Sequence, residues 1–364
     1  MRTFFACLPM LFLASAGSAA VWNVPDAERG IVKIQDALAR AVAGDVLNIN
    51  TGQYSEFLDI SVSNLTLRGV GGPVMINGTP SAGSVGPVPA ISIVSQTGVV
   101  LEGIHMRGRE SGYYPDMHGK PGLYIATSEV FVKNCSIFGG ARSGQPGILS
   151  VSSALRLEGV SATGGSGQTG SEVLVHLPYP GYRIARLPFP GGCGIEIHGG
   201  SVDAVDCTFT GLRGEAGAAG SIWHTALQTP TVGGEGALVI SGAAVRFEGC
   251  RFTGGDGGVG PIDRWSTPSA RAGHGLWVRV SSSALVTGAC SRPGANLPTY
   301  PDGPSRAYLA DATSQLILDP SGLPVAGSLL TSASTSEVDL PGRDKNGDGA
   351  VDASDVLLAN PCGW

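Results

Sequence analysis

The chain has 364 residues, 56 of them glycine and 24 proline, with charged residues at 14% and a net charge of −6. That acidic balance excludes a nucleic-acid partner held by a basic surface, and so much glycine with so few charges suits many tight turns rather than exposed helices. Length alone would allow two domains.

In chain order, residues 1–20 carry Arg2, an apolar run from Phe4 to Ala14 and the small-residue end Ser18-Ala19-Ala20, the pattern of a cleaved secretory leader. The product is expected outside the cytoplasm: extracellular, on the cell surface or in a periplasm. No later stretch is apolar for long enough to span a bilayer. Apolar residues at helical spacing (Ile34, Leu38, Ala41, Val42) predict a short amphipathic helix over about 32–43, running into a strand at Val46–Ile49.

From there a repeat takes over. The stretch 236–254, G-A-L-V-I-S-G-A-A-V-R-F-E-G-C-R-F-T-G, has near copies at 122–139, 147–164, 194–211 and 275–294, and an earlier one at 90–108. In the five full copies a Cys or Val (Cys135, Val160, Cys207, Cys250, Cys290) is followed by Gly four positions later, and Ile104 and Val70 stand in the same slot of earlier coils. Period-2 alternation inside such a repeat predicts stacked parallel strands, one elongated body in which each coil touches only its neighbours.

Aligned on that slot, the residues five before it (Leu65, Val99, Val130, Leu155, Val202, Val245, Leu285) and two after it (Met106, Ile137, Ala162, Phe209, Phe252) are apolar and form the predicted core columns. The slot cysteines read as buried free thiols rather than disulfides, because stacked side chains pointing the same way fit disulfide geometry poorly. Two before the slot, the outward column reads Arg68, Glu102, Lys133, Glu158, Val205, Glu248, Gly288, and four before it come Arg156, Asp203 and Arg246. Alternating signs predict ladders of exposed ion pairs, each contributing under about 1 kcal/mol.

Insertions fall between the closing glycine of one copy and the opening glycine of the next, at 109–121, 165–193, 212–235 and 255–274, with a short one at 140–146. All should leave one corner of the solenoid, where insertions commonly build a binding face. The longest, V-L-V-H-L then Pro178-Tyr179-Pro180-Gly181 then Y-R-I-A-R-L, predicts a β-hairpin. These loops hold the aromatics Tyr113, Tyr114, Tyr179, Tyr182, Trp223 and Trp265, candidates for stacking on sugar rings. They also hold the candidate catalytic groups. Glu215 with Asp256 or Asp263 would supply the two carboxylates that glycoside hydrolysis needs, and Arg264 or His274 a base. None has a diagnostic spacing. Gly273-His274-Gly275 has parallels in Gly192-Cys193-Gly194 and Gly234-Glu235-Gly236, so Gly-x-Gly reads first as the way a coil opens.

After a last coil the repeat fades by residue 327, a linker spans 328–343, and residues 344–364 carry an oxygen-ligand loop. Asp344, Asn346, Asp348, Ala350 (through its carbonyl), Asp352 and Asp355 stand at positions one, three, five, seven, nine and twelve, with Gly349 at six. That spacing suits Ca2+.

The phrase I-Q-D-A-L-A-R-A-V-A-G-D-V-L-N-I-N-T-G-Q-Y-S-E and the coils after it resemble secreted right-handed parallel β-helix proteins of the pectate-lyase-like superfamily. The resemblance implies an all-β right-handed parallel β-helix over 21–327, capped by the short helix, and a protein that binds or degrades an extracellular polysaccharide as lyase or hydrolase. The motif sets of polygalacturonases are missing apart from Gly273-His274-Gly275, so a non-catalytic surface or matrix protein is the alternative reading. The calcium loop and the helix begun by Val356 resemble one dockerin repeat, which implies a cohesin-like partner; that family's pattern has two repeats and this chain has one. A monomer is expected.

Overall fold

The structure is a computed structural model. It describes residues 19–79, 88–109, 120–141, 144–167, 190–214, 231–258, 270, 272–292, 294, 308–311 and 313–319, with backbone alone at 169–176, 182–188, 290, 292 and 319. The segments expected to be a calcium loop and a linker, and the expected leader up to residue 18, lie outside the described residues.

Within a coil, period-2 alternation sends every second side chain inward, and consecutive coils stack in register. Ile137 pairs with Met106 on one side and Ala162 on the other, and Phe209 with Ala162 and Phe252. Repetition yields a 22-stranded sheet whose pairings are parallel, wound as a parallel β-helix. A complete coil has three faces, the first two sometimes covered by one continuous strand such as Ile148–Glu158. The coil that ends at Gly254, for example, has Ala237–Ile240 on a first face, Ala244–Glu248 on a second and Arg251–Thr253 on a third.

The core is a set of vertical columns. Val99, Val130, Leu155, Val202 and Val245 form one, and Met106, Ile137, Ala162, Phe209 and Phe252 another, all buried. Phe209 and Phe252 stack with centroids 5.7 Å apart, and Phe247 meets both edge-on at 5.8 and 4.9 Å. Each such contact adds about 0.5–1.5 kcal/mol to area burial. Cys135, Cys207 and Cys250 are buried free thiols. Burial pushes the Cys135 thiol up to about 11, and the hydrogen bond to Cys207 together with burial raises that of Cys250.

Two corners are tight. Between first and second face, buried hydroxyls form a ladder. Ser128 Oγ donates to the Ala126 carbonyl and accepts from the Gln96 N–H, and Ser153 Oγ donates to Val151 and accepts from Ser128. Between second and third face the residue ahead of the core slot turns left-handed in coil after coil: Gly103, Asn134, Gly159, Asp206, Gly249 and Gly288 have φ from 50° to 67°. An ordinary side chain loses about 1–2 kcal/mol there, which glycine, asparagine and aspartate largely avoid.

The register departs from the expected one at both ends, and at the C-terminal end that column shows it. Gly288 belongs in it, so Ala289 fills the slot and Cys290 stands one position later, opposite Arg251. The same shift points Leu285 outward, 37% exposed and opposite Arg246, while Ala284 and Val286 fill the core. In the first coils the pairing slips between Asn50 and Gly52, bulging residues 71–73 out of the sheet. Val74, not Val70, is the buried residue stacked below Ile104.

The helix is shorter than the periodicity predicts, Ile34–Leu38, with Glu56 accepting from the N–H groups of Ile34 and Gln35 at its start. Val42 is 54% exposed. The chain has already left the helix there, because the Asp45 carboxylate gathers the Val42 and Ala20 N–H groups and the Trp22 indole.

The ion-pair ladders form on the second face. Arg68 meets Glu102 at 2.7 Å, Lys133 meets Glu158 at 2.8 Å, and Arg246 bridges Glu248 at 2.6 Å and Asp203 at 3.5 Å. A groove of about 430 Å³ runs over this face from Gly98 to Asp203, with Phe131 and Arg156 among its lining residues. Among the described residues no helix is long and apolar enough to cross a membrane.

Candidate functional site

The third corner, from third face back to first, is where every long insertion begins and ends. Its stems interleave. N–H groups of Gly294, Gly273, Gly255, Gly234, Leu212, Gly192 and Gly165 donate in succession to the carbonyls of Gly273, Gly255, Gly234, Leu212, Gly192, Gly165 and Gln145. Segments leaving a coil thus alternate with segments entering the next. Backbones packed this closely leave no space for side chains: a Cβ on Gly234 would strike the Gly192 carbonyl, and one on Gly273 the carbonyl of Gly234. Glycine is required at these positions by contact rather than by turn conformation.

Between these glycines each entering stem carries one side-chain-bearing residue, and these residues stack. Gly194 N–H donates to the Glu235 carbonyl and Gly236 N–H to that of His274, so Cys193, Glu235 and His274 occupy one position on three consecutive coils. Each is more than nine-tenths buried: 7%, 7% and 5% exposed. The Cys193 thiol donates to Glu235 Oε2 at 3.4 Å. Burial, then the carboxylates of Glu235 and Glu196, push that thiol well above its ordinary range, so it is a protonated donor rather than a nucleophile.

Beside this column lies the outward side of the first face. Tyr124, Leu149, Glu196, Leu238 and Trp277 pair in sequence across five coils. At about 4.8 Å per coil, Glu196 and Trp277 are about 10 Å apart along the axis and Tyr124 and Trp277 about 19 Å. His198 Nε2 meets Glu196 Oε1 at 2.7 Å. The Arg279 guanidinium lies 4.4 Å from the Trp277 ring centroid, and the His274 ring approaches Trp277 edge-on at 5.1 Å. An aromatic ring, a guanidinium and a hydrogen-bonded carboxylate therefore share one outward strip at the foot of the loops.

Of the loop groups expected from sequence, His274 joins this cluster and Asp256 does not. Asp256 is exposed on a stem, its carbonyl accepting from Gly214. Tyr182 opens the second strand of the predicted hairpin, where Thr169–His176 and Tyr182–Pro188 pair antiparallel as a separate small sheet. Glu215, Asp263, Arg264, Tyr113, Tyr114, Tyr179, Trp223, Trp265 and the expected calcium ligands Asp344, Asn346, Asp348, Ala350, Asp352 and Asp355 lie outside the described residues. Glu196, His198, Trp277 and Arg279 were not foreseen. Their signal is plain: they stand two and four positions after the opening glycines Gly194 and Gly275, the outward places of a strand that starts there.

No family model and no curated protein matches the chain. Solved structures are similar to it: a pectin methylesterase, PemA, from Erwinia chrysanthemi (13% identity, 86% of this chain, 92% of that chain, TM-score 0.36), a pectin methylesterase from Yersinia enterocolitica (11%, 82%, 85%, 0.36) and the pectate lyase Pel9A (8%, 84%, 78%, 0.37). Likeness at this level carries no argument about activity.

Proposed function

We propose that this chain is a secreted β-helix that binds an extracellular polysaccharide along the outward strip of its first face. Fold does not fix function, so the reading rests on one observation: Trp277 with Arg279 against it, in register with the Glu196–His198 pair. An aromatic ring offers an apolar platform to the C–H side of a sugar, while convergent charged groups bond its hydroxyls and carboxylates and set orientation. Five coils of the strip suit a linear chain better than a compact ligand.

Binding is favoured over hydrolysis within this strip. Hydrolysis needs two carboxylates flanking the scissile bond, and Glu235, the carboxylate one coil above Glu196, is buried. Incubating the protein with a panel of acidic and neutral polysaccharides tests the reading. Retention without new reducing ends or unsaturated products is expected. Released products would replace binding with catalysis, and neither retention nor products would leave the non-catalytic matrix reading.

The same proposal includes the calcium module at the C-terminus, supported by ligand spacing in the sequence. Calorimetry should find a Ca2+ site that Asp344→Ala removes; an unchanged isotherm would refute it.

A further inference from the structure

We propose that Cys193, Glu235 and His274 form a site for a zinc-like divalent cation beneath the loop corner, separate from the calcium loop. Zinc takes thiolate, carboxylate and imidazole ligands, and the fold delivers the Cys193 thiol, the Glu235 carboxylate and the His274 imidazole to the same position on three consecutive coils, all more than nine-tenths buried; binding of the cation would release the thiol proton. The spacing of the first two side chains allows a shared cation. With Zn–S of about 2.3 Å and Zn–O of about 2.0 Å at a tetrahedral angle, sulfur and oxygen on one metal lie about 3.5 Å apart; Cys193 Sγ and Glu235 Oε2 are 3.4 Å apart. The flanking glycines hold the three backbones, since added bulk on Gly192, Gly234 or Gly273 collides with a neighbouring carbonyl. Glu196 adds negative charge that also bears on Cys193, which a divalent cation would balance.

Among the described residues no three such side chains are already gathered at ligand distance around one point. The third ligand must therefore come from a turn of the His274 imidazole toward the sulfur and oxygen. Glu235 and His274 also have other partners, which the cation would displace. Because the His274 ring packs edge-on against Trp277, that turn would alter the aromatic platform and couple cation loading to the outward strip.

Titration of the full chain with Co2+ tests this, since only a sulfur ligand gives thiolate-to-cobalt charge-transfer absorption and the oxygen ligands of the C-terminal loop give none. The expected result is saturation of that absorption at one equivalent with a change in tryptophan fluorescence, loss of the absorption in Cys193→Ser, and at least about tenfold weaker binding in Glu235→Gln and His274→Ala. Wild-type protein without the sulfur absorption overturns the proposal, whatever the variants do. So does an absorption that survives in Cys193→Ser, which would place the metal on another thiol.

Discussion

Val280 holds a left-handed φ of 57° with a β-branched side chain that is 49% exposed. It continues a column in which Ser95, Thr127, Ser152, Gly199 and Ser241 make the same turn between first and second face. Its N–H donates to Asp311 Oδ2 and its side chain has little to pack against, so the strain is uncompensated by burial. Val280→Asn should therefore stabilise the protein by about 1 kcal/mol, read as a higher urea midpoint at unchanged slope; an equal or lower midpoint would show that the apolar side chain matters more than the turn. The other left-handed column shows what the sequence offered and how it can mislead. Aligning copies on Cys and the glycine four later placed Cys290 and Leu285 inward. Aligning on the residue that must tolerate positive φ selects Gly288, because Ala289 would have been the one member outside glycine, asparagine and aspartate.

At the scale of elements, the third corner joins stability to site. Its stems are hydrogen-bonded to one another at contact distance, so Gly234→Ala is expected to cost about 3 kcal/mol or prevent soluble expression, the upper end of what forced overpacking does. Stability within about 0.5 kcal/mol of wild type would mean that the stems can part. The Gly-x-Gly pattern was legible as the opening of a coil, and so it is. Its second consequence, that the middle residues Cys193, Glu235 and His274 stack into one buried column, needs the pairing of coils separated by loops of different length. Hydrophobic alternation fixes that pairing on the strands, whereas nothing in a loop's own sequence announces which backbone its stem will meet.

Across the whole molecule, the columns of the core were readable because burial imposes the same demand on every coil. Coil order, the loop-bearing corner and the ion-pair ladders follow from it. The site was only partly readable, for a physical reason: outward positions face no common demand, so Glu196, His198, Trp277 and Arg279 look like any surface residues until register places them on one strip. Two outward surfaces now compete for a ligand, that strip and the groove over Phe131 and Arg156 on the second face. The most direct test is polysaccharide affinity measured for wild type, Trp277→Ala and Arg156→Ala under identical salt. We predict that Trp277→Ala loses at least about tenfold in affinity, the scale of a stacked aromatic contact of about 1–3 kcal/mol, while Arg156→Ala binds like wild type. Unchanged binding by Trp277→Ala with loss in Arg156→Ala would place the ligand on the second face and contradict the account.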